Sequence, residues 1–215
     1  MSASAPAPAA PRWKRWLAGV LRVALGVVLG LAAAAVAVRG SGLAGPVRAG
    51  AWSTSTASGH VDADMYTRAR VAVGGLLALS RSETMYYVAR HDDSGAPLRA
   101  ECRYRVEGVP PPARWWSITA YAGDFYLFPN PQGRYSLSGA TARLDANGRF
   151  ALVTGPAAPA PPPAAPAAGD QEYWLPTPGR GALLLTFRLY NPAPGLVAAP
   201  ASLAAPSITR VGGCQ

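Results

Sequence analysis

The sequence predicts a mainly β fold: a jelly-roll-like antiparallel β-sandwich with one leading α-helix, preceded by an amino-terminal transmembrane helix. The clearest observation is the alternation over residues 99–107, where apolar residues such as Cys102 and Tyr104 occupy one face and Arg and Glu the other. The sequence Asp-Ala-Asn-Gly at 145–148 is typical of a tight hairpin turn. Strand-like runs also recur at short intervals, which favours an antiparallel sandwich over parallel strands joined by helices.

Residues 17–38 predict the membrane anchor. They are apolar except for Arg22, and 22 residues at about 1.5 Å each reach about 33 Å, enough to cross a hydrocarbon core of about 30 Å. The basic segment 1–16 precedes them and is expected in the cytoplasm, which puts the domain in the periplasm of a bacterium, held at the inner membrane by a single span. A cleaved signal peptide with a small-residue site at 35–37 is the alternative, but its apolar core would be longer than usual.

Two further features accompany the anchor. Gly26 and Gly30 form a small-residue pair of the kind that packs two membrane helices together, so a homodimer is a possible arrangement. Residues 39–61 are rich in Gly, Ser and Thr and predict a flexible tether to a folded domain at 62–215.

The domain is expected to begin with a helix over 65–79, capped by Asp62 or Asp64. The predicted strands are 84–90, 99–107, 114–121, 125–128, 134–137, 141–145, 149–154, 182–190 and 207–211. The turn at 91–97 predicts that the first two of them form a hairpin. Residues 155–169 contain only Gly, Pro and Ala, a low-complexity composition that predicts a surface loop.

The charge of the chain does not indicate nucleic-acid binding. The formal net charge is +9, but the first 50 residues hold six basic residues and no acid. The remainder has 14 basic against 11 acidic residues, a net charge of only +3, and its arginines alternate singly along strands instead of forming a basic stripe. No nucleic-acid partner is therefore expected.

No catalytic or cofactor motif is present in the sequence. His91-Asp92-Asp93 offers metal-ligand atom types, but these residues lie in a turn that favours Asp for its own hydrogen bonding, so neither a metal nor a cofactor is predicted. A glycosidase-like carboxylate pair could come from the acids Glu101, Glu107, Asp124 and Glu172, although their spacing selects no pair. The two cysteines, Cys102 and Cys214, predict one disulfide because the domain is expected outside the cytoplasm.

Six short motifs, taken in order, resemble a known family. They are Tyr66-Thr67-Arg68-Ala69, Asp93-x-Gly95-x-Pro97-Leu98, Trp116-Ser117-Ile118-Thr119-x-Tyr121, Arg134-Tyr135-Ser136, Trp174-Leu175-Pro176 and Arg188-Leu189-Tyr190-x-Pro192. Together they resemble the bacterial family called domain of unknown function 1214 (DUF1214). The resemblance implies a jelly-roll-like β-sandwich, an envelope location for short members with an amino-terminal span, and a neighbouring or fused partner carrying domain of unknown function 1254. It implies no activity.

The candidate binding residues are aromatic rings and guanidinium groups. They are Trp116, Tyr121, Arg134, Tyr135, Trp174, Arg188 and Tyr190. Rings stack on flat or sugar-like ligands and Arg binds carboxylates through two hydrogen bonds, whereas the alternative is that the rings are core and the arginines hold loops. The first interpretation predicts a ligand- or partner-binding module of the cell envelope. A β-sandwich hydrolase acting on an envelope glycan or ester, and a structural partner of a neighbouring envelope protein, are the alternatives.

Overall fold

A computed structural model gives the fold over residues 11–39, 46–55, 59–60, 62–73, 79–157 and 173–214. It divides the chain into two units, Met1–Gly42 and Leu43–Gln215. The first contains α1 (Arg12–Arg39), whose mean hydropathy reaches 2.3 over 18 residues with no residue buried. Its 28 residues extend about 42 Å, so α1 is long and apolar enough to cross a membrane.

The second unit is built from two sheets. The described residues form β1 (Val47–Ala49), β2 (Trp52–Thr54), β3 (Thr84–Ala89), β4 (Tyr104–Gly108), β5 (Ala113–Ala122), β6 (Ser136–Ser138), β7 (Phe150–Gly155), β8 (Tyr173–Pro176), β9 (Leu183–Pro192) and β10 (Ser207–Arg210). One sheet has the order β1-β2-β3-β9-β5-β6 and is antiparallel throughout, while the other has the order β10-β4-β7-β8. The β7–β8 pair is parallel, so the four-stranded sheet is mixed.

The two sheets share one hydrophobic core. Trp116 of β5 packs on Phe150 of β7 with ring centroids 4.6 Å apart, and it meets Phe187 of β9 edge-on at 5.9 Å. Because Phe150 belongs to the four-stranded sheet and the other two rings to the six-stranded sheet, these contacts join the inner faces of a sandwich. Trp52 of β2 is also fully buried, and its indole Nε1 donates a hydrogen bond to the carbonyl of Pro206 at 2.7 Å.

Helices are few in the described part of this unit: α2 (Met65–Val73), α3 (Pro194–Ala198) and a 3₁₀ turn at Pro200–Ser202. The leading helix and its cap are confirmed. The Asp64 carboxylate accepts hydrogen bonds from the backbone N–H groups of Tyr66 and Thr67, which satisfies two donors at the start of α2. The described part of the helix reaches Val73, and residues 74–78 of the predicted helix lie outside the described residues. Leu79, the predicted last residue, is not helical.

The mainly β prediction is confirmed, with corrections to individual strands. Residues 125–128 and 141–145 form only the single bridges Tyr121–Leu127 and Leu144–Phe150 instead of strands. The reason is that tight turns use their backbone groups: Phe125 has a positive φ of 69°, and the backbone N–H of Asp145 is bonded to the carbonyl of Arg149. The predicted loop 155–169 begins with the last residue of β7, and its positions 158–169 lie outside the described residues.

The predicted hairpin of 84–90 with 99–107 is wrong. These segments lie in different sheets, since β3 pairs with β2 and β9 while β4 pairs with β7 and β10. The turn after β3 contains one isolated bridge, His91–Pro97, and the chain then crosses to the other layer. Turn chemistry identified the reversal of the chain but not the sheet that receives it.

The predicted tether at 39–61 is also wrong in part. Residues 47–54 form the β1–β2 hairpin, which extends the six-stranded sheet through the pairing of Trp52 with Ala89. Gly50, with φ of 58°, makes the turn between the two strands. The physical reason is the burial of Trp52, whose large apolar area outweighs the polar composition of its neighbours.

Candidate functional site

The two faces of the six-stranded sheet differ in character. Successive side chains of a strand point to opposite faces, so in β5 the positions 116, 118 and 120 carry Trp, Ile and Ala into the core. The positions 115, 117, 119 and 121 carry Trp, Ser, Thr and Tyr on the other face, which we call the outer face. The contrast is sharpest at the two tryptophans, because Trp116 is 4% exposed and Trp115 is 40% exposed.

Cross-strand register brings the outer-face residues together around Arg188. Arg188 of β9 lies opposite Ser117 of β5 on one side and opposite Tyr86 of β3 on the other. Two residues further along, Tyr190 lies opposite Trp115, and their rings meet at 5.1 Å with an interplanar angle of 60°. Cross-strand partners share a face, so these side chains form one continuous surface.

Neutral hydroxyl groups hold the Arg188 guanidinium. Its Nη1 donates to Thr119 Oγ1 at 3.1 Å, and its Nη2 donates to the Tyr121 hydroxyl at 2.6 Å. The guanidinium carbon also lies 5.4 Å from the centroid of the Tyr121 ring, within reach of a cation–π interaction. A guanidinium has five N–H donors, so these two contacts leave three for other acceptors.

No acidic residue of the described chain forms an ion pair with Arg188. The strands β1, β2, β3, β5, β6 and β9 contain no Asp or Glu. The arginine–carboxylate pairs that the structure gives, Arg99–Glu101 and Arg105–Glu107, lie on and beside β4 in the other sheet. The positive charge of Arg188 is thus half-buried and compensated only by dipoles.

The surface beside Arg188 has a floor of small hydroxyl residues. Ser117, Thr119 and Thr186 are buried, while Trp115 and Arg188 reach further out. Burial raises the pKa of the Tyr86 hydroxyl, and nearby Tyr190 adds to the rise while Arg188 opposes it. Next to them, Tyr86 and Arg90 help line a cavity of about 200 Å³.

A family profile identifies the chain. The profile of the family described as a protein of unknown function, DUF1214, matches residues 83–194, just over half of the sequence. The chain belongs to the DUF1214 family. The matched region includes β3, β5 and β9, which carry Arg188 and its neighbours. No curated protein is significantly similar to the chain.

One solved structure supports the fold of the DUF1214 domain. The VPA0106 protein from Vibrio parahaemolyticus has a TM-score of 0.53 at 19% identity, and the match covers 70% of this chain and 36% of that protein. An uncharacterised protein from Burkholderia cenocepacia has a TM-score of 0.36 at 18% identity, covering 60% of this chain and 29% of the other. The chain thus spans little more than a third of the length of the Vibrio protein, and the similarity concerns the fold alone.

The DUF1214 domain brings only some of the candidate residues together. Tyr121, Arg188 and Tyr190 share the outer face. Trp116 is a core residue, so the prediction that it contacts a ligand is corrected by its burial between Phe150 and Phe187. Trp174 lies in β8 of the four-stranded sheet, half-buried, with its indole Nε1 bonded to the carbonyl of Gly155 at 3.1 Å.

Arg134 and Tyr135 lie on the loop between β5 and β6. Both are exposed, and the Asn130 side chain shapes this loop by donating to the carbonyl of Arg134 and accepting from the backbone N–H of Gln132. The Tyr135 hydroxyl is 3.5 Å from the carbonyl of Asn130. These contacts are local to the loop, so neither residue joins the arrangement around Arg188.

Trp115 is the outer-face residue that the sequence interpretation missed. The signal was present in the alternation: Trp116 shares its face with Ile118 and Ala120, whereas Trp115 shares its face with Ser117 and Thr119. The more apolar set should face the core, and the exposed tryptophan is therefore the one in the polar set.

The predicted disulfide of the DUF1214 domain is confirmed. Cys102 and Cys214 are bonded to each other across a sequence separation of 112 residues. Cys102 is buried next to β4, and Cys214 lies near the carboxy terminus, beyond β10. The bond therefore fixes the end of the chain to the four-stranded sheet, where β10 is the edge strand next to β4.

The His91-Asp92-Asp93 turn has a structural role. Asp92 Oδ1 accepts hydrogen bonds from the backbone and hydroxyl of Ser94 and from the backbone of Ala96, and Asp93 Oδ2 accepts one from the backbone of Ile208. Burial opposes ionisation of Asp92, but the bonds from Ser94 and Ala96 outweigh it and lower its pKa. Among the described residues, no group of three or more His, Cys, Asp or Glu side chains could hold a metal ion.

The acids considered for hydrolysis also make local contacts. Glu101 bonds to Arg99 and to the backbone of Gly181, and Glu107 bonds to Arg105 at 2.7 Å. Asp124 accepts from the backbone N–H of Tyr126 in an exposed turn, and Glu172 lies outside the described residues. These contacts give the hydrolase interpretation no specific support.

Proposed function

We propose that this protein is a ligand-binding module of the bacterial cell envelope whose binding surface is the outer face around Arg188. The observation that carries the proposal is a half-buried guanidinium held by two neutral hydroxyls, with no ion pair to an acid of the described chain. A buried charge is normally paired, because its transfer out of water costs free energy. An anionic group on a ligand would provide the missing pair, and Tyr121 with Trp115 would contact the rest of that ligand.

A photocrosslinking experiment in envelopes tests this proposal. The crosslinking residue p-benzoylphenylalanine would replace Ser53, which lies on the same face, opposite Val88. Irradiation should give an adduct that disappears with Arg188→Gln. The matched control is Arg180→Gln, because Arg180 is exposed on the turn before β9 and lies outside the strands that form the outer face. If every adduct forms equally with Arg188→Gln, this surface is not a binding site.

The proposed location is the inner membrane, with the amino terminus in the cytoplasm and the domain in the periplasm. The basic residues Arg12, Lys14 and Arg15 at the start of α1 favour that orientation. The Cys102–Cys214 disulfide also fits an oxidising compartment. Protease added to spheroplasts should digest the domain, while the same treatment of intact cells should leave it whole. A domain that survives in spheroplasts but is digested after lysis would place it in the cytoplasm.

A second copy of α1 is the proposed partner inside the membrane. An added Cβ at Gly26 or Gly30 would meet no atom of the chain within 4 Å, so their surface is free to pack on another helix. Replacing both with Leu should abolish a crosslinked dimer in membranes, whereas Gly19→Leu should not, although Gly19 is equally uncrowded. A dimer that persists in the double variant would exclude this contact. The association with a protein carrying domain of unknown function 1254 likewise stays a proposal.

A further inference from the structure

The free donors of Arg188 set the charge of the ligand group. Three N–H donors remain after the bonds to Thr119 and Tyr121, and a carboxylate needs two of them for a bidentate pair. In the row of Arg188 the cross-strand neighbours Ser117 and Tyr86 carry no charge, whereas Arg81 and Arg90 line the cavity beside Tyr86. A single guanidinium matches one negative charge, as on a carboxylate.

Trp115 supplies a platform for a ring on the same face as that charge. Its indole is 40% exposed and is held edge-on by Tyr190 at 5.1 Å, so its orientation is fixed while part of its surface is open. The Arg188 guanidinium is bonded to Thr119 and Tyr121, which lie four and six residues from Trp115 in β5, or about 13–20 Å along the strand. This separation spans several sugar rings of one chain, whose C–H groups pack well on an aromatic surface.

The shape of the surface favours an extended ligand. The cavity beside Tyr86 has a volume of about 200 Å³, below the range of about 300–1,000 Å³ that is usual for enclosed small-molecule sites. The rest of the surface is the open side of a sheet with half-buried phenol hydroxyls at Tyr86, Tyr121 and Tyr190. Hydroxyls both donate and accept hydrogen bonds, which suits the many hydroxyl groups of a sugar chain.

We infer that the outer face binds an acidic polysaccharide, with a hexuronic acid carboxylate on Arg188 and a sugar ring on Trp115. The inference rests on the proposed function, because it assigns a ligand class to the same surface. It assigns separate roles to two side chains: Arg188 selects the charged sugar, and Trp115 contributes affinity for charged and neutral sugars alike.

Oligogalacturonate and its methyl ester make a matched pair of probes, since they differ only in the charge of the carboxyl group. The full chain in lipid nanodiscs would be titrated with each probe by calorimetry. We expect the acid to bind about tenfold or more tightly than the ester, the scale of a charge-assisted pair. Arg188→Gln should remove that difference and leave ester binding unchanged, while Trp115→Ala should weaken both probes. Arg180→Gln and Tyr126→Ala are the exposed controls and should change neither.

Each other outcome contradicts the inference. Equal affinity for acid and ester in the wild type would exclude recognition of the carboxylate, and acid binding that survives Arg188→Gln would show that the carboxylate does not bind at Arg188. Arg188→Lys keeps the charge and should retain part of the preference for the acid, which separates loss of charge from loss of structure. If neither probe binds, but envelope photocrosslinking yields an Arg188-dependent adduct that is not a glycan, the binding function stands and the polysaccharide class is wrong.

Discussion

The opposite environments of Trp115 and Trp116 predict very different costs of truncation. Trp116 is 4% exposed and packs between Phe150 and Phe187, so Trp116→Ala leaves a cavity between the two sheets. Such a truncation costs about 3–5 kcal/mol of the free energy of unfolding. Trp115→Ala leaves no enclosed cavity and loses mainly the edge contact with Tyr190, worth about 0.5–1.5 kcal/mol.

Denaturant and thermal unfolding, followed by near-UV circular dichroism, measure the difference. At about 2–4 °C per kcal/mol for a domain of this size, Trp116→Ala should lower Tm by roughly 6–20 °C. A third variant, Gly139→Ala, tests the same pocket from the other side, because its new Cβ would lie 3.2 Å from Trp116 Nε1. The added methyl should also destabilise the domain. If Trp115→Ala costs as much as Trp116→Ala, the assignment of the two faces is wrong.

Three further predictions concern the disulfide and two buried ionisable groups. Removing the Cys102–Cys214 bond, by Cys214→Ser or by reductant, should lower the free energy of unfolding by up to about 4–5 kcal/mol for a loop of this length; an unchanged urea midpoint would show that the bond does not stabilise the fold. The pKa of Asp92 is lower in the folded protein than its ordinary value of 3.8. The ionised carboxylate therefore stabilises the fold above pH 3.8, and this contribution is lost as the pH falls through the folded pKa. Asp92→Asn should flatten the acid limb of a stability–pH profile. Burial raises the pKa of Tyr87 from 10.0 to about 12, so stability should be lost as pH rises between those values, and less steeply in Tyr87→Phe; identical alkaline profiles would contradict this.

Local pattern predicted most of the strands and the side that each buries, although it missed β1, β2 and β8. The alternation over 99–107 is confirmed in β4, where Tyr104 and Val106 are buried because the pleat of a strand determines the side without knowledge of a partner. Cys102 is also buried, but residues 99–102 form a turn before β4 begins. The partner of each strand, in contrast, is not determined by local sequence. Thr84 pairs with Tyr190, and Trp52 donates to Pro206, contacts across more than 100 residues that no local pattern encodes. This is why the predicted pairing of β3 with residues 99–107 was wrong.

The same limit explains the candidate site. Aromatic residues and arginine were recognised as candidates by chemical type, which cannot distinguish a guanidinium on a local loop from one at the centre of a sheet. Arg134 looked favourable because a turn presents it, yet its surroundings are confined to that loop. Arg188 became the stronger candidate only when register set it beside Tyr86 and Ser117.

Stability alone does not account for a guanidinium at Arg188. Moving a charge partly out of water costs free energy, and an acidic partner normally compensates, as Glu107 does for Arg105 at 2.7 Å. If the side chain served only to hold Thr119 and Tyr121, a neutral Gln amide could donate similar bonds with no charge to desolvate. Within the domain the positive charge gains only the cation–π contact with the Tyr121 ring, 5.4 Å from the guanidinium carbon, and an anionic ligand on the outer face would provide the further compensation that the strands around it lack.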